Sequence, residues 1–297
     1  MTIGIGVVCD HGDYVVLASD KRASYKNLQP NDEAGKIFDF DPLRLIGTVA
    51  GRLGTLHEIV GELSVQFDKL AKEQSGKPIY REHVENAIDD ARFRQLARRY
   101  RWAARANYGL TWEQLLSGKL PHGKMNKTIW EDIKRTVFSI PLMAEIIVGG
   151  YLADEPVLFK ASGKQEIEGS ADPPVFVIGS TSAAYAMEHL NCRGQNIFSS
   201  FAQTVLHVHE ALEIARKKDH DAYIGRCDAY VVLNRHRQGF EQFPHDCDLL
   251  RGWRKAYAKR ESTTSLKSGI AINQAQLLLR PLAPGIRFER YRKKASG

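Results

Sequence analysis

The apolar runs of this chain come in blocks, and the order of the blocks separates fold classes. Residues 3–9 (IGIGVVC) and 14–19 (YVVLAS) are short β-rich runs divided by the turn cluster Asp10-His11-Gly12-Asp13, a hairpin pattern. A second pair, 36–40 and 43–50, turns at Asp41-Pro42. The period then changes. Leu53, His57, Ile59, Val60, Leu63, Phe67 and Leu70 recur at helical spacing, which predicts a helix over 52–73 that Gly76 and Pro78 end. Residues 81–106 read as a second helix, with Arg92, Arg94, Arg98, Arg99, Arg101 and Arg105 in its later part. Residues 107–135, polar and punctuated by Gly109, Gly118, Pro121 and Gly123, read as an irregular segment, either an insertion or a long loop. Strands are predicted over 144–150, 157–161 and 175–178, helices over 181–191 and 197–217, and a strand over 227–233. Strand blocks alternate with helix pairs, whereas single strands and helices do not alternate. That argues against a doubly wound parallel sheet and predicts two antiparallel sheets with helix pairs outside them.

Composition narrows the setting. No apolar run approaches the ~20 residues that a membrane span needs, so no membrane role is expected. The start, MTIGIGVV, has neither a basic n-region nor a small-residue cleavage site. The four cysteines (Cys9, Cys192, Cys227, Cys247) form no CxxC pair and read as reduced thiols of a cytoplasmic protein. His207 and His209 are two apart and share no helix face, so they do not suggest a metal site. The net charge of +7 is unevenly spread: from Arg251 onward there are 12 Lys and Arg against Glu261 and Glu289. A basic tail of this kind fits solvent, an acidic neighbouring subunit or nucleic acid. No RNP motif or zinc-finger spacing supports the last.

The chemistry begins at the second residue. Methionine before a small residue is commonly removed, which would leave Thr2 first, with its own α-amine (pKa near ~8) as a base. Alone this carries little weight, because threonine is common there. Two charged residues further along the chain add weight. Asp20 closes the first hairpin, and Lys36 lies sixteen residues later, at the start of the next strand. A buried lysine beside an N-terminal nucleophile lowers the pKa of the hydroxyl and suppresses protonation of the amine. Asp20 would hold that lysine's charge, and Gly51 could offer a backbone N–H to an oxyanion. The plainer alternatives are a strand-edge lysine and a turn-capping aspartate.

These segments, Thr2-Ile3, ASDKRAS, GKIF and VAGRLGTLHEIV, resemble proteasome β subunits and the peptidase subunit of the bacterial two-component ATP-dependent protease. EIIVGGY, EPVLFKASGKQEIEG, VFVIGSTSAAYAMEHL and HEALEIARKKDHDAYIGRCDAYVVL are similar to later segments of the same family. The resemblance covers residues 2–240 in pieces. It implies an α+β fold, the four-layer αββα sandwich of N-terminal-nucleophile (Ntn) hydrolases, over 2–245, with an insertion near 100–135 and a basic extension over 246–297. It implies Thr2 as nucleophile, Asp20 and Lys36 as its electrostatic partners and Gly51 as oxyanion donor. Ser180 would bond the terminal amine, with Asp221 or Asp219 nearby. Ala23, Ala34, Val49 and Leu53 would line an apolar specificity pocket. The run Ala222-Tyr223-Ile224-Gly225 departs from the family's small, polar pattern at this point.

The function so implied is a threonine peptidase or amidohydrolase acting on peptides or proteins inside a homo-oligomeric ring. It requires no cofactor and leaves room for a gating ATPase. Two alternatives remain: a catalytically silent proteasome-like scaffold, which retention of Met1 would favour, and a nucleic-acid-binding protein that uses the arginine helix and the tail.

Overall fold

The computed structural model describes residues 3–21, 23–25, 28–31, 35–41, 43–51, 53–142, 144–163, 167–170, 174–179, 182–218, 228–237 and 239–243. The first apolar pair forms β1 (Ile3–Cys9) and β2 (Tyr14–Asp20), joined by a turn in which Asp10 and His11 take positive φ. A small two-stranded sheet comes next, β3 (Ala23–Tyr25) with β4 (Leu28–Asn31). The chain continues into β5 (Ile37–Phe40), β6 (Leu45–Gly51) and two long helices, α1 (Leu53–Glu73) and α2 (Arg81–Tyr108).

The segment expected to be an irregular insertion or long loop is not irregular but ordered into short elements: α3 (Trp112–Ser117), a hairpin of β7 (Lys119–Leu120) and β8 (Gly123–Lys124), and α4 (Lys127–Phe138). The glycines that looked like loop residues are the stops between them. Gly109 ends α2 and Gly118 ends α3, each in the left-handed conformation that glycine adopts at no steric cost. Thr111 and Gln114 cap α3 reciprocally, and Asn126 Oδ1 caps α4 by accepting from the amides of Thr128 and Ile129. Ala104, Leu110, Leu115 and Val137 give this unit a small core of its own, flanked by Tyr100, Trp112 and Phe138.

The chain then returns to strands β9 (Ala144–Leu152), β10 (Glu155–Ser162), β11 (Glu168–Ser170) and β12 (Val175–Gly179). It closes with α5 (Ser182–Cys192), α6 (Phe201–Lys218), β13 (Asp228–Asn234) and β14 (Phe240–Phe243). The expected helix over 197–217 begins four residues late, because Ile197 and Ser199 give their carbonyls to the β1–β2 turn. One five-stranded sheet has the order β12-β1-β2-β13-β14 and the other β11-β10-β9-β6-β5. Every pairing among the described strands is antiparallel.

Strand alternation sorts the apolar residues into three clusters. Val16 and Ala18 of β2 join Ile3, Ile5 and Val7 of β1 against Leu190, Val208 and Leu212 of α5 and α6. Their neighbours Val15 and Leu17 point the other way and meet Ile46, Ile147 and Leu158 of the second sheet. Leu45, Val148 and Phe159 face away from that contact, toward Ile59, Leu63 and Phe67 of α1 and Val84 and Ile88 of α2. Each fully buried side chain of this size contributes about 2 kcal/mol from burial. Gly6 marks the close approach of the two sheets: a Cβ there would lie 2.7 Å from Ile147 Cγ2. No helix among the described residues is long and apolar enough to cross a membrane.

Candidate active site

Antiparallel pairing gathers several chain positions at one end of both sheets. In the first sheet, Ile3 at the start of β1 lies opposite Gly179 at the end of β12, and Asp20 at the end of β2 lies opposite Asp228 at the start of β13. In the second, Gly51 at the end of β6 lies opposite Ala144 at the start of β9. Lys36 immediately precedes β5.

Two polar links join the sheets at this end. Lys36 Nζ donates to Asp20 Oδ2 at 3.0 Å, with the side chains 4% and 0% exposed. The Gly179 amide donates to Glu145 Oε2 at 2.6 Å. Asp20 uses its second oxygen as well: the Ile3 amide, the nitrogen that joins residue 2 to residue 3, donates to Oδ1 at 2.9 Å. A buried carboxylate is costly without partners, and here a cation and a backbone donor satisfy it. The carboxylate is in turn the counter-charge that Lys36 meets where water is excluded. Gly51 is exposed and adopts φ 144°, a region that strongly favours glycine.

The structure therefore brings Asp20 and Lys36 together, and Gly51 occupies the strand end of the second sheet. Thr2, Ser180, Asp219 and Asp221 lie outside the described residues. So do the side chains of Ala23, Ala34 and Leu53. Val49 is buried in the core beneath α1.

Two acids escaped the sequence reading. Glu145 sits one residue after the strand position that faces Gly51 and holds the residue before Ser180 by its amide. Asp228 is fully buried, and Arg216 Nη2 of α6 donates to its Oδ1 at 2.6 Å while Nη1 donates to Glu213. Burial works against the Arg216 charge, but Asp228 and Glu213 outweigh it and hold its pKa above the ordinary value. The available signal was an acid at the head of an otherwise apolar strand, CDAYVVL. His209, Glu213 and Asp228 place donor atoms within 4.8 Å of one another, a spacing that could hold a metal ion. The guanidinium of Arg216 already bridges the two carboxylates, and His209 Nδ1 lies 3.3 Å from the Tyr230 hydroxyl. A cation would have to displace an arginine.

Fold and strand-end geometry define a mixed α/β protein with two antiparallel sheets, and solved structures similar to it in fold include Anbu proteins. Anbu (ancestral beta-subunit) from Yersinia bercovieri matches with a TM-score of 0.61 at 15% identity, over 90% of this chain and 100% of that one. Anbu from Hyphomicrobium sp. strain MC1 matches with a TM-score of 0.57 at 14% identity, over 90% and 99%. At these identities the likeness is one of fold. In sequence, the chain is 41% identical over 78 residues to the proteasome subunit beta of Methanocaldococcus fervens, and 40% identical over 78 residues to that of Methanocaldococcus jannaschii. These matches take in 26% of this chain and 33% of each relative, so the chain spans about a third of the length of the curated relatives it matches. No protein-family model matches the chain.

Proposed function

We propose that this protein is a threonine-type peptidase or amidohydrolase with the four-layer αββα arrangement of Ntn hydrolases, working in a proteasome-like homo-oligomeric ring. The observation that carries the reading is Asp20. One oxygen of this buried carboxylate anchors the Lys36 ammonium, and the other binds the amide that links residue 2 to residue 3. A hydroxyl on residue 2 is thereby tied by the chain to the neighbourhood of a fixed, desolvated positive charge.

In this reading Met1 is removed and the α-amine of Thr2 takes the proton of its own hydroxyl. Lys36 stays charged and stabilises the developing alkoxide, while its field discourages protonation of the amine. The Thr2 oxygen attacks the substrate carbonyl, and the Gly51 N–H stabilises the oxyanion. Collapse expels the amine product with the proton from the α-ammonium, leaving an ester on Thr2. Water, activated by the same amine, then releases the acid. Ser180 and Asp221 are assigned to orienting the amine. Residues 2–245 form the hydrolase domain, and 246–297 form a basic extension suited to docking on an acidic neighbour.

The test is intact mass before and after exposure to an electrophile selective for N-terminal threonine. The expected result is loss of Met1 and a single adduct, abolished by Thr2→Ala. A retained Met1, or a free Thr2 that stays unlabelled, overturns the enzyme reading and leaves the silent scaffold.

A further inference from the structure

We propose that α2 is a self-docking helix that binds the α2 of a second copy of this chain, antiparallel and across a two-fold axis. Such pairing is independent of any peptidase activity. Helix α2 changes sign along its length. Residues 81–90 hold Glu82, Glu85, Asp89 and Asp90 against Arg81, whereas residues 91–108 hold six arginines and no acid. The change also shows along the rows that helices use to pack, which run through every fourth residue. One row passes from Glu82 and Asp90 to Arg94, Arg98 and Trp102. The next passes from Asp89 through Phe93 to Arg101 and Arg105.

Some of this charge is spent within the subunit. Asp89 binds Arg92, Arg98 binds Glu62 of α1, and Arg101 lies over the Trp112 ring. Glu82 and Asp90 on one half, and Arg94 and Arg105 on the other, face solvent. So do two large apolar side chains: Phe93, 65% exposed at the change of sign, and Trp102, 71% exposed. Aromatic and arginine side chains together, with an apolar centre, mark the composition of interface cores.

The order of the charges selects the occupant. The surface complementary to a helix that runs from acidic to basic is the same helix reversed. A two-fold axis near Phe93 sets the acidic half of each copy on the basic half of the other, so every favourable contact is made twice. A polyanion would match only half of the face and would be repelled by Glu82 and Asp90.

Two charge-reversed variants test this: Glu82→Lys with Asp90→Lys, and Arg94→Glu with Arg105→Glu. All four positions are exposed, so the fold should survive, which circular dichroism checks. Sedimentation at about 50 mM salt, where surface charge is weakly screened, reads self-association of the full chain. Each variant alone is expected to associate at least about tenfold more weakly than the unaltered chain, because like charges face each other. An equimolar mixture of the two is expected to recover association, because lysines at 82 and 90 of one helix then meet glutamates at 94 and 105 of the other. Unchanged association of either variant, or a mixture that fails to recover, overturns the proposal. So does an arginine variant that loses binding to a polyanion such as heparin while self-associating normally, which would make α2 a polyanion surface.

Discussion

Two buried aspartates lie opposite each other on neighbouring strands, and each is answered by a different cation. Asp20 of β2 has Lys36, a lysine reaching it from the other sheet. Asp228 of β13 has Arg216, an arginine from the covering helix that also holds Glu213. Lysine is a compact charge that presents a single point, whereas arginine is a planar fork that grips two acceptors and stays charged. The arginine pair therefore reads as a clamp between helix and strand. The lysine pair leaves an ammonium in a site that also holds the amide after residue 2. Similar burial and equal charge serve different ends because the two cations differ in shape and arrive from different layers.

The largest expected effect separates the pairs directly. Lys36→Ala should slow labelling of Thr2 by the electrophile about a thousandfold and lower stability by about 3 kcal/mol, because Asp20 is left buried without its counter-charge. Adduct formation followed by mass, and urea unfolding, read the two effects; labelling at the original rate would remove Lys36 from the chemistry. Asp228→Asn should act in the opposite proportion. We expect about 2–4 kcal/mol of lost stability, with labelling of the folded fraction within about tenfold of the unaltered protein. If labelling collapses while stability holds, the two aspartates belong to one catalytic unit and the contrast fails.

The smallest effect comes from a neutral buried group on the same sheet. Burial pushes the Cys9 thiol up to about 12, against an ordinary value of 9.0. An acid whose folded pKa is raised stays protonated in the fold while the unfolded chain ionises. Stability is therefore fully present below pH 9 and falls as pH rises toward 12, by at most about 1.4 kcal/mol per unit. Urea midpoints at about pH 8 and about pH 10 should show this decline, and Cys9→Ala should make it shallower. A slope unchanged by that substitution would assign the decline to other groups, such as Tyr151, whose pKa burial also raises.

Much of the fold was legible because its signals are local. The apolar, β-rich runs of β1 and β2 around their turn cluster and the 3.6-period run of α1 each state their type within a short stretch of chain, and the blocks of strands and helix pairs pointed to antiparallel sheets. The Asp20–Lys36 pairing was legible too, through spacing and family resemblance. The region after α2 was misread because Gly109, Gly118 and Gly123 signal loops when counted alone. They are caps and turns once Ala104, Leu115 and Val137 supply a core for the short helices between them. Glu145 and Asp228 passed unnoticed because nothing near them in sequence hints at their partners, 34 and 12 residues away.

By itself, then, the sequence determined the kind and order of the longer sheet strands and of helices α1, α2, α5 and α6, since periodicity and turn chemistry act over a few residues. Tertiary structure alone decided which strand ends meet, and so which charges neutralise one another. Those links depend on pairing register between strands distant in the chain, as where Gly51 of β6 faces Ala144 of β9, or Ile3 of β1 faces Gly179 of β12. A buried charge becomes tolerable only when such a register delivers its partner to within about 3 Å.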